Sequence, residues 1–126
     1  MCLNDNDFET DGGICIGIAL SQNENLEILK IADNDLRSDG AMAIIQNAGN
    51  LITLNLAKNG LKSDVGKPLE RLLMKSRNLK KLCLEHNDLG VHGSKFLAQG
   101  IQRNASLEYL SLKGNVIGDQ GMILLA

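Results

Sequence analysis

Apolar positions in this chain recur at one spacing four times over. "LEILKIADNDL" (Leu26 to Leu36), "LITLNLAKNGL" (Leu51 to Leu61), "LKKLCLEHNDL" (Leu79 to Leu89) and "LEYLSLKGNVI" (Leu107 to Ile117) share the pattern Leu-x-x-Leu-x-(Leu/Ile)-x-x-Asn-x-(Leu/Ile), met at all 20 defined positions. The opening "MCLNDNDF" is the tail of a fifth copy, with Leu3, Asn6 and Phe8 in register. The asparagines fall at 6, 34, 59, 87 and 115, so the spacings are 28, 25, 28 and 28. Alternation such as Leu82 and Leu84 predicts a short strand with one buried face, and Leu79 and Leu89 turn inward at its ends. Six residues past four of the asparagines stands a glycine (Gly12, Gly40, Gly93, Gly121); the third copy has Val65 there and Gly66 next. Four residues further on, Ile16, Ile44, Leu69, Leu97 and Leu125 are apolar. In "GVHGSKFLAQGIQR" the positions of Phe96, Leu97 and Ile101 form one inward stripe, which predicts a helical return. The glycines read as marking the start of each helix, with Asp11 and Gly12 beginning the first.

A unit of one short strand and one helix cannot bury its apolar face alone, so the copies must stack on one another. The asparagine amide both donates and accepts. Stacked copies can therefore join Asn6, Asn34, Asn59, Asn87 and Asn115 into a structural ladder that satisfies turn backbone otherwise left without partners. The second copy is three residues short between Leu36 and Leu51, which predicts a helix nearly one turn shorter and a thinner outer side there. Pro68 is tolerable within the first helical turn.

This pattern resembles the leucine-rich repeat family over essentially the whole chain. The 28-residue period and glycine-led helix are similar to its ribonuclease-inhibitor-like subclass, as in NOD-like receptors and Ran GTPase-activating proteins. The resemblance implies an α/β horseshoe segment, with a parallel sheet on the concave side and helices on the convex side. It also implies roles in inhibition, innate sensing, GTPase regulation or ciliary and cytoskeletal assembly. Residues 1–126 read as a single domain of about four and a half repeats, part of a longer array.

Composition narrows the picture. Aromatic residues make up only 2% of the chain, so the core must be aliphatic. A net charge of −2 gives no electrostatic footprint for nucleic acid. No apolar run approaches the roughly 18 residues of a membrane span, and "MCLNDNDFE" lacks the features of a signal peptide. Cys2, Cys15 and Cys83 are odd in number and irregular in spacing, which points to a reducing compartment rather than a disulfide framework. The expected location is cytoplasmic, with cytoskeletal or ciliary settings within reach of the resemblance.

Three stretches imitate chemistry. In "DFETDGGICIGI", Asp7, Glu9, Asp11 and Gly12 occupy positions one, three, five and six of a calcium loop, but position twelve is Ile18 where a bidentate Glu is needed. Later copies keep the glycine but place Arg37, Gly90 and Gly118 at position three. Cys83 and His86 in "LCLEHN" could form a nucleophile and base or half a zinc site, but neighbouring copies offer no good third ligand. His92 reads as a solvated loop residue. The glycine pairs at 11–13 and 118–121 match no phosphate-binding fingerprint. No catalytic, cofactor-binding or metal residues are assigned.

The expected function is a non-enzymatic protein–protein interaction scaffold whose partner is another protein. The concave face reads as columns: Ile28, Thr53, Lys81, Tyr109; Lys30, Asn55, Cys83, Ser111; Ala32, Ala57, Glu85, Lys113; and Asp33, Lys58, His86, Gly114, with Asn4 and Asp5 extending the last two. Its expected binding residues are Asp5, Lys30, Asp33, Asn55, Lys58, Lys81, Glu85, His86, Tyr109 and Lys113. One end is acidic and the other weakly basic. Met122, Ile123, Leu124 and Leu125 have no following repeat to cover them, which suggests end-on packing. The alternative is a regulator of a small GTPase, for which Arg37 in "NDLRSDG" is the available loop arginine. A third option, an enzyme using Cys83, has only the cysteine itself behind it.

Overall fold

The computed structural model describes residues 1–115. Within them the alternating segments form four short parallel strands, β1 (Ile28–Lys30), β2 (Thr53–Asn55), β3 (Lys81–Cys83) and β4 (Tyr109–Ser111), in one sheet ordered as in the chain. The register runs straight across: Ile28 faces Thr53, Thr53 faces Lys81, and Lys81 faces Tyr109. Cys2 bridges Lys30 in parallel, so the first copy adds a rung at the β1 edge. Parallel neighbours need long crossovers, and here each crossover runs through a helix: α1 (Glu9–Ser21), α2 (Arg37–Ile45), α3 (Gly66–Lys75) and α4 (Gly90–Gln102). The fold is a leucine-rich repeat solenoid, with the sheet inside the curve and the helices outside. Its core is aliphatic, with Leu29, Leu54 and Leu82 of the strands fully buried beside Ile44, Leu69 and Leu97 of the helices.

The repeat asparagines are the polar part of that core. The Asn59 side-chain oxygen accepts from the backbone N–H groups of Asn34 (3.0 Å) and Leu36 (3.3 Å) in the preceding copy. Its amide nitrogen donates to the carbonyls of Ile31, Leu56 and Ala57 at 2.9–3.1 Å. Asn87 repeats the arrangement one copy on, toward Asn59, Leu61 and the Leu56 carbonyl. Asn115 reaches Leu89 N–H and the Leu84 carbonyl. Asn34 donates to the Leu3 carbonyl at 2.9 Å, but its buried oxygen has no partner. Asn6 is exposed and donates only within its own copy, to Leu3 and Asn4.

The helix layer departs from expectation in one respect. α1 starts at Glu9, α2 at Arg37 and α4 at Gly90, so Gly12, Gly40 and Gly93 lie inside the helices rather than at their starts. Asp11 and Gly12 do not begin the first helix, Arg37 opens α2 rather than sitting in a loop, and His92 belongs to α4 rather than to a loop. The helices can start early because a neighbouring copy supplies the first acceptor. Glu9 N–H donates to the Asn34 backbone carbonyl (2.9 Å) and Arg37 N–H to that of Asn59 (2.8 Å), with no side-chain cap needed.

The glycines serve close approach instead. A Cβ on Gly13 would lie 2.8 Å from Gly40 Cα, and one on Gly17 would lie 2.5 Å from the Ala43 carbonyl oxygen, so α1 and α2 meet backbone to backbone. In the third copy, where Val65 occupies the usual place within a 3-10 turn (Ser63–Val65), Gly66 takes over one residue later, with its Cβ position 3.2 Å from Gly93 Cα. α2 has 9 residues against 13 in α1 and α4, as the short second copy requires. Pro68 sits in the first turn of α3. Met122 to Leu125, proposed for end-on packing, lie outside the described residues.

Candidate functional site

Strand alternation sends every second side chain away from the core. The straight register then lines these side chains up across copies. Glu9 and Asp11 lie in the first turn of α1, where carboxylates favour the positive end of the helix dipole. Two residues apart on a helix, they point to different sides rather than into one loop. Among the described residues, no group of three or more His, Cys, Asp or Glu side chains is arranged to hold a metal ion. Cys83 is half-buried between Asn55 and Ser111 in adjacent strands. His86 is exposed, and its ring lies over Gly114 in the next copy, where a Cβ would collide with the imidazole. His92 packs edge-on against Phe96, with ring centroids 5.4 Å apart.

The residues expected to bind a partner form three groups. Lys30, Lys81 and Tyr109 are exposed on the strands, with the Lys81 ammonium 5.1 Å from the Tyr109 ring centroid. Together with Asn55 and Cys83 they line a shallow groove of about 280 Å³. Asn55 and Glu85 are half-buried and partly engaged: the Asn55 side-chain oxygen accepts from Ala57 N–H at 3.0 Å, and Glu85 accepts from the Ser111 hydroxyl. Lys113, Asp5, Asp33, Lys58 and His86 project from the turns that follow the strands, all exposed.

The turn column carries a feature the sequence pattern did not reveal. Asp5, Asp33, Lys58 and His86 all hold the left-handed backbone conformation, with φ of 60, 58, 55 and 55°, and Gly114 holds it at 78°. Glycine adopts this conformation without strain, whereas a residue with a Cβ does so at a cost. Gly114 shows that glycine fits the turn, yet four copies place a charged or titratable side chain there. Arg37, the residue on which GTPase regulation would rest, is also left-handed (58°), and its Nε lies 3.1 Å from Asp35 Oδ1 in an exposed ion pair.

A second polar column escaped the sequence reading. The Asn23 and Asn104 side-chain oxygens accept from Leu26 N–H (3.1 Å) and Leu107 N–H (2.7 Å), and Ser76 Oγ accepts from Leu79 N–H (3.0 Å). Each closes the turn into the next copy's first leucine. The signal available was the 28-residue step from Ser76 to Asn104. It was hidden because three different residue types share the task, the short copy using Ala48, whose backbone carbonyl accepts from Leu51 N–H at 3.0 Å.

No helix among the described residues is long and apolar enough to cross a membrane. A sequence-family profile described as "Leucine Rich repeat" matches residues 22–44 and 103–126. The chain is similar to the human "NACHT, LRR and PYD domains-containing protein 13", 32% identical over 77% of this chain but only 10% of that protein. It is also similar to the ribonuclease inhibitor of Sus scrofa, 28% identical over 99% of this chain and 28% of the inhibitor. The chain thus spans between about a tenth and just over a quarter of these relatives' lengths. Among solved structures, "Leiomodin-1 Actin-Binding Site 2 (ABS2)" matches with a TM-score of 0.80 and 19% identity, over 99% of this chain and 77% of that one, a likeness of fold. The repeat pattern, the stacked strand–helix units and these relatives agree: the chain belongs to the leucine-rich repeat family, in its ribonuclease-inhibitor-like subclass.

Proposed function

We propose that this chain is a non-enzymatic interaction scaffold that binds another protein across its concave face, with the Asp33–Lys58–His86 column at the centre of the contact. The observation that carries this reading is the strain in that column. The stacked repeat holds these turns in place against the strain, and strain that a fold sustains clusters at sites of recognition. These side chains are exposed, differ in charge from copy to copy, and occupy positions where Gly114 shows the turn needs no side chain. The flanking Lys30, Lys81 and Tyr109 add charge and an aromatic surface of the kind interfaces favour. The small share of the relatives' lengths favours a chain that works as one stretch of a longer array. A cytoplasmic setting, cytoskeletal or ciliary, suits three free cysteines.

Because the leiomodin-1 structure is named for an actin-binding site, actin is the first partner to try, followed by crosslinking mass spectrometry in the native source. The decisive variant is Asp33→Gly/Lys58→Gly/His86→Gly, which relieves strain and so keeps the fold. Crosslinks should map to the concave columns, and the triple variant should lose the partner while melting no earlier than the parent. Retention of the partner by that variant sinks the reading. The GTPase alternative rests on Arg37, whose guanidinium is already engaged by Asp35; unchanged hydrolysis by a small-GTPase panel closes it.

A further inference from the structure

The helix layer contains one junction unlike the others. α1 and α2 meet through Gly13, Gly17 and Gly40. α3 and α4 meet through Gly66, Gly93 and Gly100, whose added Cβ would lie 3.1 Å from Glu70 Cα. No glycine joins α2 to α3. The second copy is three residues short, α2 ends at Ile45, and the missing turn leaves a groove of about 270 Å³ beside α3. Its apolar floor includes Ile45, Leu72 and Pro68, and its open end lies at Gly49, where an added Cβ would meet nothing within 4 Å. Arg71 and Lys75 of α3 line the groove and are exposed, and no acidic side chain lines it. Neither cation has an acidic partner among the described residues, where the ion pair found is Arg37 with Asp35. Lys67, one turn earlier, is drawn the other way, its ammonium 5.6 Å from the Phe96 ring centroid.

We propose that this convex groove is a second docking site, distinct from the concave face, for an acidic amphipathic helix of a partner protein. Four observations select that occupant. The groove lies between two helices, as helix-in-groove sites do. Its floor takes aliphatic residues. Arg71 and Lys75 stand one turn apart, so they match carboxylates spaced one turn apart on a helix laid alongside. The site is cationic in a chain whose net charge is −2, which makes charge complementarity local rather than global.

The test uses the whole chain, labelled with nitrogen-15, and a capped peptide of leucine and glutamate with leucines at i, i+3, i+4 and i+7. A glutamine version and a lysine version serve as controls. At low salt the amide signals of Gly49, Arg71, Leu72 and Lys75 should shift with the glutamate peptide. Binding should weaken about tenfold or more for the glutamine peptide and for Arg71→Glu/Lys75→Glu, because buried or semi-buried charge contacts govern such specificity. Gly49→Trp should plug the open end and weaken binding to a similar degree, with circular dichroism and the melting midpoint unchanged. The proposal is overturned if the shifts fall only on the concave strip, or if glutamate and glutamine peptides bind alike. It is equally overturned if phosphatidylserine vesicles or single-stranded RNA compete the peptide away at lower concentration.

Discussion

The turn side and the helix side of this solenoid are built from the same repeats, yet they treat the junctions between copies differently. On the turn side the junctions from the second copy onward are alike. A buried asparagine reaches back one copy with its side-chain oxygen and donates to both copies with its amide, as Asn59 and Asn87 do. On the helix side the junctions alternate, tight between α1 and α2, open between α2 and α3, tight again between α3 and α4. The difference follows from what each side can tolerate. Ladder bonds have fixed lengths and leave buried groups stranded if one is missing, so that side cannot absorb a deletion. Helices return to the next strand through turns, and three lost residues there only expose a groove.

The sharpest way to break the comparison is at the centre of the ladder. Asn59→Ala removes an acceptor of two backbone N–H groups and a donor to three carbonyls, all in buried turns. Stranding buried groups costs about 1–3 kcal/mol each, moderated by relaxation and water. A loss of about 3–5 kcal/mol in urea unfolding is expected, enough to unfold many domains of this size. Asn6→Ala, in the exposed first copy, should cost less than about 1 kcal/mol, because its bonds compete with water. Equal losses in the two variants would mean the ladder is not what holds the turns.

On the helix side the sharpest test is a tight junction. Gly17→Ala puts a methyl group against the Ala43 backbone, which cannot rotate away. Overpacking of this kind costs about 1–3 kcal/mol, even though alanine is the better helix former by about 1 kcal/mol. A variant as stable as the parent would show that α1 is free to shift outward.

Most of this architecture could be read from the chain. The spacing of leucines and asparagines specified strand, turn, helix and stacking order. The 25-residue step located the short helix. What escaped reading was contact between copies. Gly12 and Gly40 looked like punctuation before a helix, because glycine serves turns and close packing equally well. Only the position of the neighbouring helix shows that Gly40 faces the Thr10 backbone. The left-handed column was hidden for a related reason: Asp, His and Gly all tolerate a positive φ, but Lys58 in the same column does not announce one. The concave columns themselves followed from register alone, since period-two alternation fixes which side chains face out.

The left-handed column gives a smaller effect of opposite sign. Lys58→Gly relieves a positive φ at an exposed position. The relief, of order 1 kcal/mol, is partly offset by the extra freedom glycine brings to the unfolded chain. A net gain of up to about 1 kcal/mol is expected, read as a rise in the urea midpoint at constant slope. The same change at Gly114 in reverse, Gly114→Ala, should destabilise, because the new methyl also meets the His86 ring. A loss of stability in Lys58→Gly would mean that the lysine supports the turn, and the functional reading of the column would fall with it.

The smallest effect belongs at the open junction, and its smallness is informative. Gly49 has no neighbour within 4 Å of an added Cβ, and its φ lies outside the left-handed region. Gly49→Ala should therefore change stability by no more than about 0.5 kcal/mol, as exposed substitutions generally do, with a slight gain if the restricted unfolded chain dominates. Set beside Gly17→Ala, this pair measures the two kinds of helix junction with one chemical change, the addition of a methyl group to glycine. The difference between them should exceed 1 kcal/mol in thermal or urea unfolding. If Gly49→Ala instead cost as much as Gly17→Ala, the end of α2 would have to close onto α3 in solution. The groove would then be occupied by the chain's own backbone, leaving no room for a partner's helix.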